Sequence, residues 1–206
     1  MKALAHIVAA FVLLASAIPA VAQPTSSSPA ARRQIQAFGA CVADRSTAKA
    51  IQVLSMDFRS AGYHPALKAL NLNNMDCSRL MPRRSGARAS SLLFAGALAE
   101  RLIAADPKPL NVRLAQVAAR PAPPTYSPSD AIANCVVRST PNETAALFKT
   151  EVGSDAEAQA MKALDMAVQL CSRGKPPFQS NVEGLRAILA TAAFRNVAPV
   201  TVAEKK

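Results

Sequence analysis

The sequence has few of the residues on which most catalytic, metal and phosphate sites depend. It contains 2 histidines, His6 and His64, and no tryptophan. Its 7 glycines form no glycine-rich phosphate-binding loop, and none of its 4 cysteines stands in a C-x-x-C pair. These absences argue against a His-based metal site, a P-loop, a thioredoxin-like redox pair and haem attachment. We therefore expect no cofactor and no metal ion.

Aromatic residues are also scarce, at 4% of the chain, although half of all residues are apolar. Alanine supplies much of that apolar content. Alanine favours helices, whereas strands are enriched in aromatic and β-branched residues. The composition therefore predicts an all-α protein with closely packed helices.

The N-terminus has the three parts of a secretory signal peptide. Met1 and Lys2 form a short positive segment, an apolar run follows, and Ala20-Val21-Ala22 provides a small-x-small cleavage site. An uncleaved N-terminal anchor is the alternative, but the chain has no second long apolar segment. We predict a signal peptide over residues 1–22 and a periplasmic or secreted mature protein that begins at Gln23.

Two stretches of the chain resemble each other and carry the cysteines at the same spacing. "CVADRSTAKA" begins at Cys41 and "CVVRSTPNET" at Cys135, 94 residues later, and each is followed after 36 residues by "CSR", at Cys77 and Cys171. An offset of 91 then aligns "FAGALAERLI" with "LRAILATAAF". An even number of cysteines in an exported chain indicates disulfides. The repeat therefore predicts two tandem units, each closed by its own bridge, Cys41 to Cys77 and Cys135 to Cys171.

Helix-start signals in the second unit predict how many helices a unit contains. Four times a Ser or Thr stands three residues before an acidic residue, which is the spacing of a capping box. The four pairs are Ser127 with Asp130, Thr140 with Glu143, Ser154 with Glu157, and Ser180 with Glu183. Pro128 and Pro141 suit the first helical position. The pattern predicts about four helices per unit, with both cysteines of the second unit facing its core.

The first unit follows the same plan, with weaker start signals at Ser28, Ser46, Pro65 and Ser85. Proline-rich sequence separates the two units, and its alternating stretch "VRLAQV" suggests an extended segment. We predict the following organisation: helical repeat 1 over 23–104, a Pro-rich linker over 105–126, helical repeat 2 over 127–196, and a tail over 197–206.

Positive charge is concentrated in the first unit. Residues 30–104 hold 11 basic and 4 acidic residues, whereas residues 127–195 hold 7 of each. The densest cluster lies in "CSRLMPRRSGAR", with Arg79, Arg83, Arg84 and Arg88. Guanidinium groups bind phosphate and carboxylate well, so these arginines form a candidate site for an anionic envelope component or an acidic protein. A solvated basic loop without a ligand is the alternative interpretation.

Candidate catalytic residues are few. His64 is the only histidine left after removal of the signal peptide, and no serine or cysteine elbow accompanies it. Asp57 and Glu151 align between the two units, and Glu100 lies in the "FAGALAERL" block. A weak or novel envelope hydrolase that uses His64 or a carboxylate is therefore the alternative to a non-enzymatic role.

The blocks "FGACVADR", "IANCVVRSTP" and "FAGALAERL", together with the signal peptide, resemble small uncharacterised exported proteins of sphingomonad-type proteobacteria. The resemblance covers most of the mature chain and implies a location in the periplasm or outside the cell. It implies no activity. The second unit departs from the pattern, since "AILAT" stands where the first has "GALAE".

Taken together, these features predict an exported, non-enzymatic helical binding or scaffold protein of the cell envelope. Its partner would be an anionic envelope component or an acidic protein, engaged through repeat 1. Nucleic acid is an unlikely partner for an exported chain, and we expect no transmembrane segment after signal cleavage.

Overall fold

The computed structural model describes residues 27–80, 91–176 and 180–198, except for the side chain of Leu80. Within these ranges the chain forms nine α-helices and one 3-10 helix, with no β-strand. The predicted all-α fold is confirmed. The helices are α1 (Pro29–Arg45), α2 (Thr47–Leu54), α3 (Tyr63–Leu72), the 3-10 helix (Met75–Leu80), α4 (Ser91–Ala104), α5 (Leu110–Ala118), α6 (Pro128–Ser139), α7 (Pro141–Phe148), α8 (Asp155–Cys171) and α9 (Val182–Val197).

Three of the predicted serine caps are present. The hydroxyl oxygens of Ser28, Ser127 and Ser154 each accept a hydrogen bond from the amide three residues later, at 3.1–3.2 Å. These bonds satisfy amides that have no partner inside the first turn of a helix. They place the starts of α1, α6 and α8.

Two predicted capping boxes are wrong. Thr140 follows α6 directly, and its hydroxyl donates to the carbonyl of Val136 at 2.7 Å instead of capping α7. Helix α9 is capped by Asn181, whose side chain accepts from the amide of Gly184 at 2.9 Å, and not by Ser180. Asparagine caps a helix at least as well as serine, and it lies one residue closer to the helix.

In the first unit, α2 and α3 begin near the predicted starts but have no side-chain cap. Ser46 stands at the N-cap of α2, yet its hydroxyl bonds to the side-chain oxygen of Asn74 at 3.1 Å. Helix α3 begins at Tyr63, so that Pro65 lies in its first turn. The predicted start at Ser85, the signal peptide and most of the tail fall outside the described residues.

The prediction of an extended segment in "VRLAQV" is wrong, because α5 covers this stretch. Leu114 is fully buried, and Leu110 and Val117 pack against the same core. These three residues are spaced by four and three positions, so they form one helical stripe. The alternation within six residues was too short to separate a helical period from an extended one. The predicted linker over 105–126 therefore contains a packed helix.

The contact between α4 and α9 is the largest between any two helices and lies at the centre of the fold, with α1 packed on α4 and α6 on α9. A Cβ on Gly96 of α4 would lie 2.6 Å from the Cα of Ala187 of α9, so glycine allows these two backbones to cross closely. One hydrophobic cluster includes residues from both predicted repeats. The two parts of the chain therefore share a core.

The structure contains disulfides between Cys41 and Cys77 and between Cys135 and Cys171, each with a Cα–Cα distance of 5.8 Å. Cys77 and Cys171 are buried, but Cys135 is exposed on α6. The expectation that both cysteines of the second unit face its core is therefore wrong. The neighbours Asn134 and Val136 are the buried residues, and the bridge joins the exposed side of α6 to the C-terminal end of α8.

None of the helices within the described ranges combines the length and the low polarity that crossing a membrane requires.

Candidate functional site

Charged side chains from four helices meet inside the protein. We call this group the ion cluster; its members are Arg32 on α1, Glu100 on α4, Glu157 on α8, and Glu183 and Arg186 on α9. Glu157 is only 1% exposed and Arg186 only 4% exposed. Charges this deeply buried require close partners of opposite sign.

Arginine side chains supply those partners. Arg186 donates to both carboxylate oxygens of Glu100, at 2.8 Å each, and to Glu157 at 3.0 Å. Arg32 donates to both oxygens of Glu157, at 2.7 and 2.8 Å. Glu183 lies at the edge of the ion cluster, where one of its oxygens accepts from the amide of Ser27 at 3.2 Å. Bidentate pairs of this kind are the strongest that guanidinium groups form.

The pKa values of Glu100 and Glu157 are shifted in opposite directions. Burial raises the pKa of Glu100, and the hydrogen bonds and charge of Arg186 offset only part of this effect. Burial also acts to raise the pKa of Glu157. However, the hydrogen bonds from Arg32 and the amide of Gly153, together with the two arginine charges, lower that pKa below its ordinary value. Folding therefore favours the ionised form of Glu157 and disfavours the ionised form of Glu100.

The ion cluster is built to join helices. Both oxygens of Glu100 are bound to Arg186, so this carboxylate, considered above for a hydrolase, has no free oxygen to offer a substrate. The cavity beside the cluster measures only about 30 Å³, which is roughly the share of one water molecule. A substrate or ligand does not fit there.

A much larger cavity, which we call the pocket, lies between the end of α2, the starts of α3, α4 and α6, and one side of α9. Its volume is about 250 Å³. Its walls are mainly apolar, with contributions from Leu54, Met56, Phe58, Leu92, Ala95 and Ile188. An apolar cavity of about 150 Å³ is enough to bind benzene in another protein. The pocket therefore has room for a small apolar molecule or for a short acyl chain.

Three polar side chains that line the pocket, Asp130, Arg195 and Tyr63, lie near one another, and we call this group its polar end. Arg195 donates from Nη2 to Oδ1 of Asp130, and Oδ2 of Asp130 accepts from the amide of Tyr126 at 2.9 Å. The guanidinium also lies 5.5 Å from the ring centre of Tyr126. Burial raises the pKa of Tyr63, and the charge of Arg195 offsets part of that rise. The phenol therefore stays protonated at neutral pH and can donate.

His64, the one candidate catalytic histidine, lines the same pocket. It is exposed, and its ring contacts Tyr63 edge to face at 5.4 Å between centroids. Ser91 and Ser127 also line the pocket. Among the described residues, His64 has no hydrogen bond to a serine or a carboxylate. A possible general base, His64, and two possible serine nucleophiles therefore line the same pocket, but His64 is not hydrogen-bonded to either serine.

The other predicted site residues lie elsewhere. Arg79 is exposed at the end of the 3-10 helix, whereas Arg83, Arg84 and Arg88 lie outside the described residues. Asp57 accepts a hydrogen bond from the amide of its neighbour Arg59, which is a local turn contact. Within the parts of the chain that the structure describes, no group of three His, Cys, Asp or Glu residues is placed to hold a metal ion.

Sequence reasoning missed the arginines of the ion cluster and Arg195 of the pocket. Asp130 and Glu157 were assigned only a helix-capping role, although each also binds an arginine from a distant part of the chain. One signal was available: Arg186 interrupts the otherwise apolar face of "GLRAILATAAF". A charge on the buried face of a helix indicates a partner on a neighbouring helix.

Comparisons with protein-family models, with curated proteins and with solved structures found no match to this chain.

Proposed function

We propose that this chain is an exported, non-enzymatic binding protein whose ligand site is the pocket. The single observation that supports this most strongly is the cavity of about 250 Å³ with apolar walls and one polar end. Binding sites for small molecules typically have this composition, in which apolar walls supply affinity and a few polar groups orient the ligand. The proposed ligand is a small molecule or chain end that is mostly apolar.

We further propose that the two units arose from one duplicated helical module. The pocket and the ion cluster then occupy corresponding places. At the offsets of 94 and 91 residues, four members of the ion cluster correspond to residues that line the pocket. The pairs are Glu157 with Tyr63, Glu100 with Thr191, Arg186 with Ala95, and Glu183 with Leu92. The fifth, Arg32, corresponds to Tyr126, whose ring contacts Phe58 edge to face and lies against the guanidinium of Arg195 at the pocket.

Export through a cleaved signal peptide over residues 1–22 is part of the same proposal. The two disulfides support it, because structural disulfides persist in oxidising compartments and are rare in the cytosol. The intact mass of protein recovered from the periplasm or medium tests this step. A mass that begins at Gln23 supports it, and a retained N-terminus contradicts it.

Methionine methyl groups offer a direct test of binding. Met56 lines the pocket, whereas Met161 lies in the core and Met75 and Met166 are on the surface. In NMR spectra of the mature protein labelled at the methionine methyls, n-octanol should shift Met56 in a saturable way and leave Met75, Met161 and Met166 nearly unmoved. The fifth methionine, Met81, lies outside the described residues. Equal shifts at Met56 and these three, or none at Met56, would remove the proposal.

A matched pair of variants tests whether the octanol that shifts the Met56 signal is bound in the pocket. Ile188 and Leu185 are both partly buried on α9, but only Ile188 lines the pocket. Ile188→Phe should fill the pocket and abolish the saturable shift of Met56, while Leu185→Phe should keep it. If the two variants bind octanol equally, then the ligand is not in the pocket.

An anionic partner at the arginine-rich loop stays a prediction. Arg79, its described member, is exposed and so is accessible to a partner. Binding to anionic vesicles should weaken when Arg79, Arg83 and Arg84 are changed together to Gln, and it should weaken with added salt. Unchanged binding in the triple variant would remove the loop from the proposal.

Hydrolysis is the second candidate, and the position of His64 at the pocket favours it. It predicts turnover of short-chain esters that is lost in His64→Ala and retained in Glu100→Gln. We propose the non-enzymatic role because His64 lacks a hydrogen-bonded nucleophile among the described residues. Turnover that depends on His64 would reverse that choice.

A further inference from the structure

The donors at the polar end of the pocket outnumber the acceptors. An arginine carries five N–H donors. Within the described part of the chain, only Nη2 of Arg195 has an acceptor, which is Asp130, and Nε is buried without any partner. The Arg195 side chain is only 10% exposed, so bulk water does not replace the missing acceptors freely. Unpaired donors of a buried charged group are costly, and a ligand that pairs with them gains affinity.

The neighbouring polar groups also present donors. The phenol of Tyr63 stays protonated because its pKa is raised by burial. The oxygen of Ser127 already accepts from the amide of Asp130 at 3.1 Å, which leaves its O–H to donate. Both carboxylate oxygens of Asp130 are occupied, by Arg195 and by the amide of Tyr126. The pocket therefore offers donors to a ligand and no free carboxylate to a cation.

We propose that the ligand of the pocket is a compact apolar monocarboxylate, with its carboxylate at Arg195 and its apolar body against Met56, Phe58 and Ile188. This inference rests on the proposed function and adds the chemical class of the ligand. A carboxylate matches the planar N–H edge of a guanidinium and accepts hydrogen bonds only. The volume of about 250 Å³ suits an acid of medium chain length.

Three probes that share one apolar chain test the class of head group. Octanoate, n-octanol and octylamine are titrated separately into the mature protein at neutral pH, with the Met56 methyl signal as the readout. Octanoate should bind about tenfold or more tighter than n-octanol, since a hydrogen bond to a charged group contributes more than a neutral one. Octylamine should bind most weakly.

Variants of the ion pair identify the group responsible. Asp130→Asn combined with Arg195→Gln keeps two hydrogen-bonding side chains and removes both charges, so that no buried charge is left alone. In this double variant octanoate and n-octanol should bind within about twofold of each other, while n-octanol binds as in the wild type. Arg173 is exposed and does not line the pocket. Arg173→Gln removes its positive charge and should leave the preference for octanoate over n-octanol unchanged.

The outcomes separate the two proposals. If n-octanol and octanoate bind equally to the wild type, or octylamine binds best, the inference about the head group is wrong and the pocket is still a ligand site. A preference that survives in the double variant also overturns the assignment to Arg195. If none of the three probes shifts Met56, the proposed function fails together with the inference.

Discussion

The ion cluster and the pocket are two different interiors of the same helical protein. In the ion cluster, the space between helices is filled by bidentate pairs between Arg186, Arg32 and their glutamates, and about 30 Å³ is left open. In the pocket, the positions that correspond in the proposed repeat carry Tyr63, Ala95 and Thr191, and about 250 Å³ is open. Ala95 and Thr191 are shorter than their counterparts Arg186 and Glu100, so they leave space that the charged side chains fill in the ion cluster.

The start of the first helix contributes to this difference. At the offset of 94, Pro128 at the start of α6 corresponds to Gln34, which lies inside α1 because α1 already begins at Pro29. The additional turn of α1 carries Arg32 to Glu157. In the second unit the corresponding Tyr126 precedes the helix and covers Arg195 instead. The ion cluster therefore ties α1, α4, α8 and α9 together, while the pocket, its counterpart in the proposed repeat, contains space of about 250 Å³.

The largest effect should follow from breaking the ion cluster. Glu157→Gln removes the charge that Arg32 and Arg186 share, so we expect the free energy of unfolding to fall by about 3–5 kcal/mol, as for other broken buried pairs. Glu143→Gln alters an exposed acid in the first turn of α7 and is the matched control. Chemical denaturation of both variants measures the difference. A loss at Glu157 no larger than that at Glu143 would show that the ion cluster does not stabilise the fold.

The next effect concerns the helix crossing on which both interiors depend. Gly96→Ala places a Cβ 2.6 Å from the backbone of Ala187 and should cost about 1–3 kcal/mol by overpacking. Gly62→Ala is the control, because its Cβ would approach only the flexible end of Met56, at 3.3 Å. Thermal unfolding of the two variants compares them. Equal midpoints would contradict the close crossing of α4 and α9.

The pH dependence of stability separates the two buried glutamates. The lowered pKa of Glu157 means that its contribution is present above the ordinary glutamate pKa of about 4.3 and is lost as the pH falls through the folded value. The raised pKa of Glu100 has the opposite effect on stability. As the pH falls from neutral through that raised pKa, protonation of Glu100 favours the folded state.

Denaturation across the acid range should therefore give a shallower loss of stability in Glu157→Gln than in the wild type and a steeper loss in Glu100→Gln. Parallel curves for the three proteins would show that the ion cluster does not shift these pKa values.

The smallest effect on stability should come from the pocket. Tyr63→Phe removes one hydroxyl from a site that has space beside it, so we expect a change within about 1 kcal/mol, together with weaker binding of octanoate and unchanged binding of n-octanol. The same NMR titration of Met56 measures both ligands. A loss of several kcal/mol would mean that Tyr63 supports the fold in the way that Glu157 does.

The sequence allowed some elements to be predicted because their causes are local. The cap at Ser154 depends on residues three positions apart, and the disulfides follow from cysteine spacing in a chain with a predicted export signal. The bond between Arg186 and Glu100 joins residues 86 positions apart, and no local pattern identifies Glu100 as the partner. The pocket arises from how α2, α3, α4, α6 and α9 pack, so it depends on tertiary structure that residue spacing does not contain.

A crystal structure of the mature protein with 8-bromooctanoate would show whether the pocket binds a carboxylate, because the bromine identifies the ligand by its anomalous scattering. We predict a carboxylate within hydrogen-bonding distance of Arg195 and bromine among the apolar walls near Met56 and Phe58. A ligand bound elsewhere, or an empty pocket at a saturating concentration, would contradict this prediction.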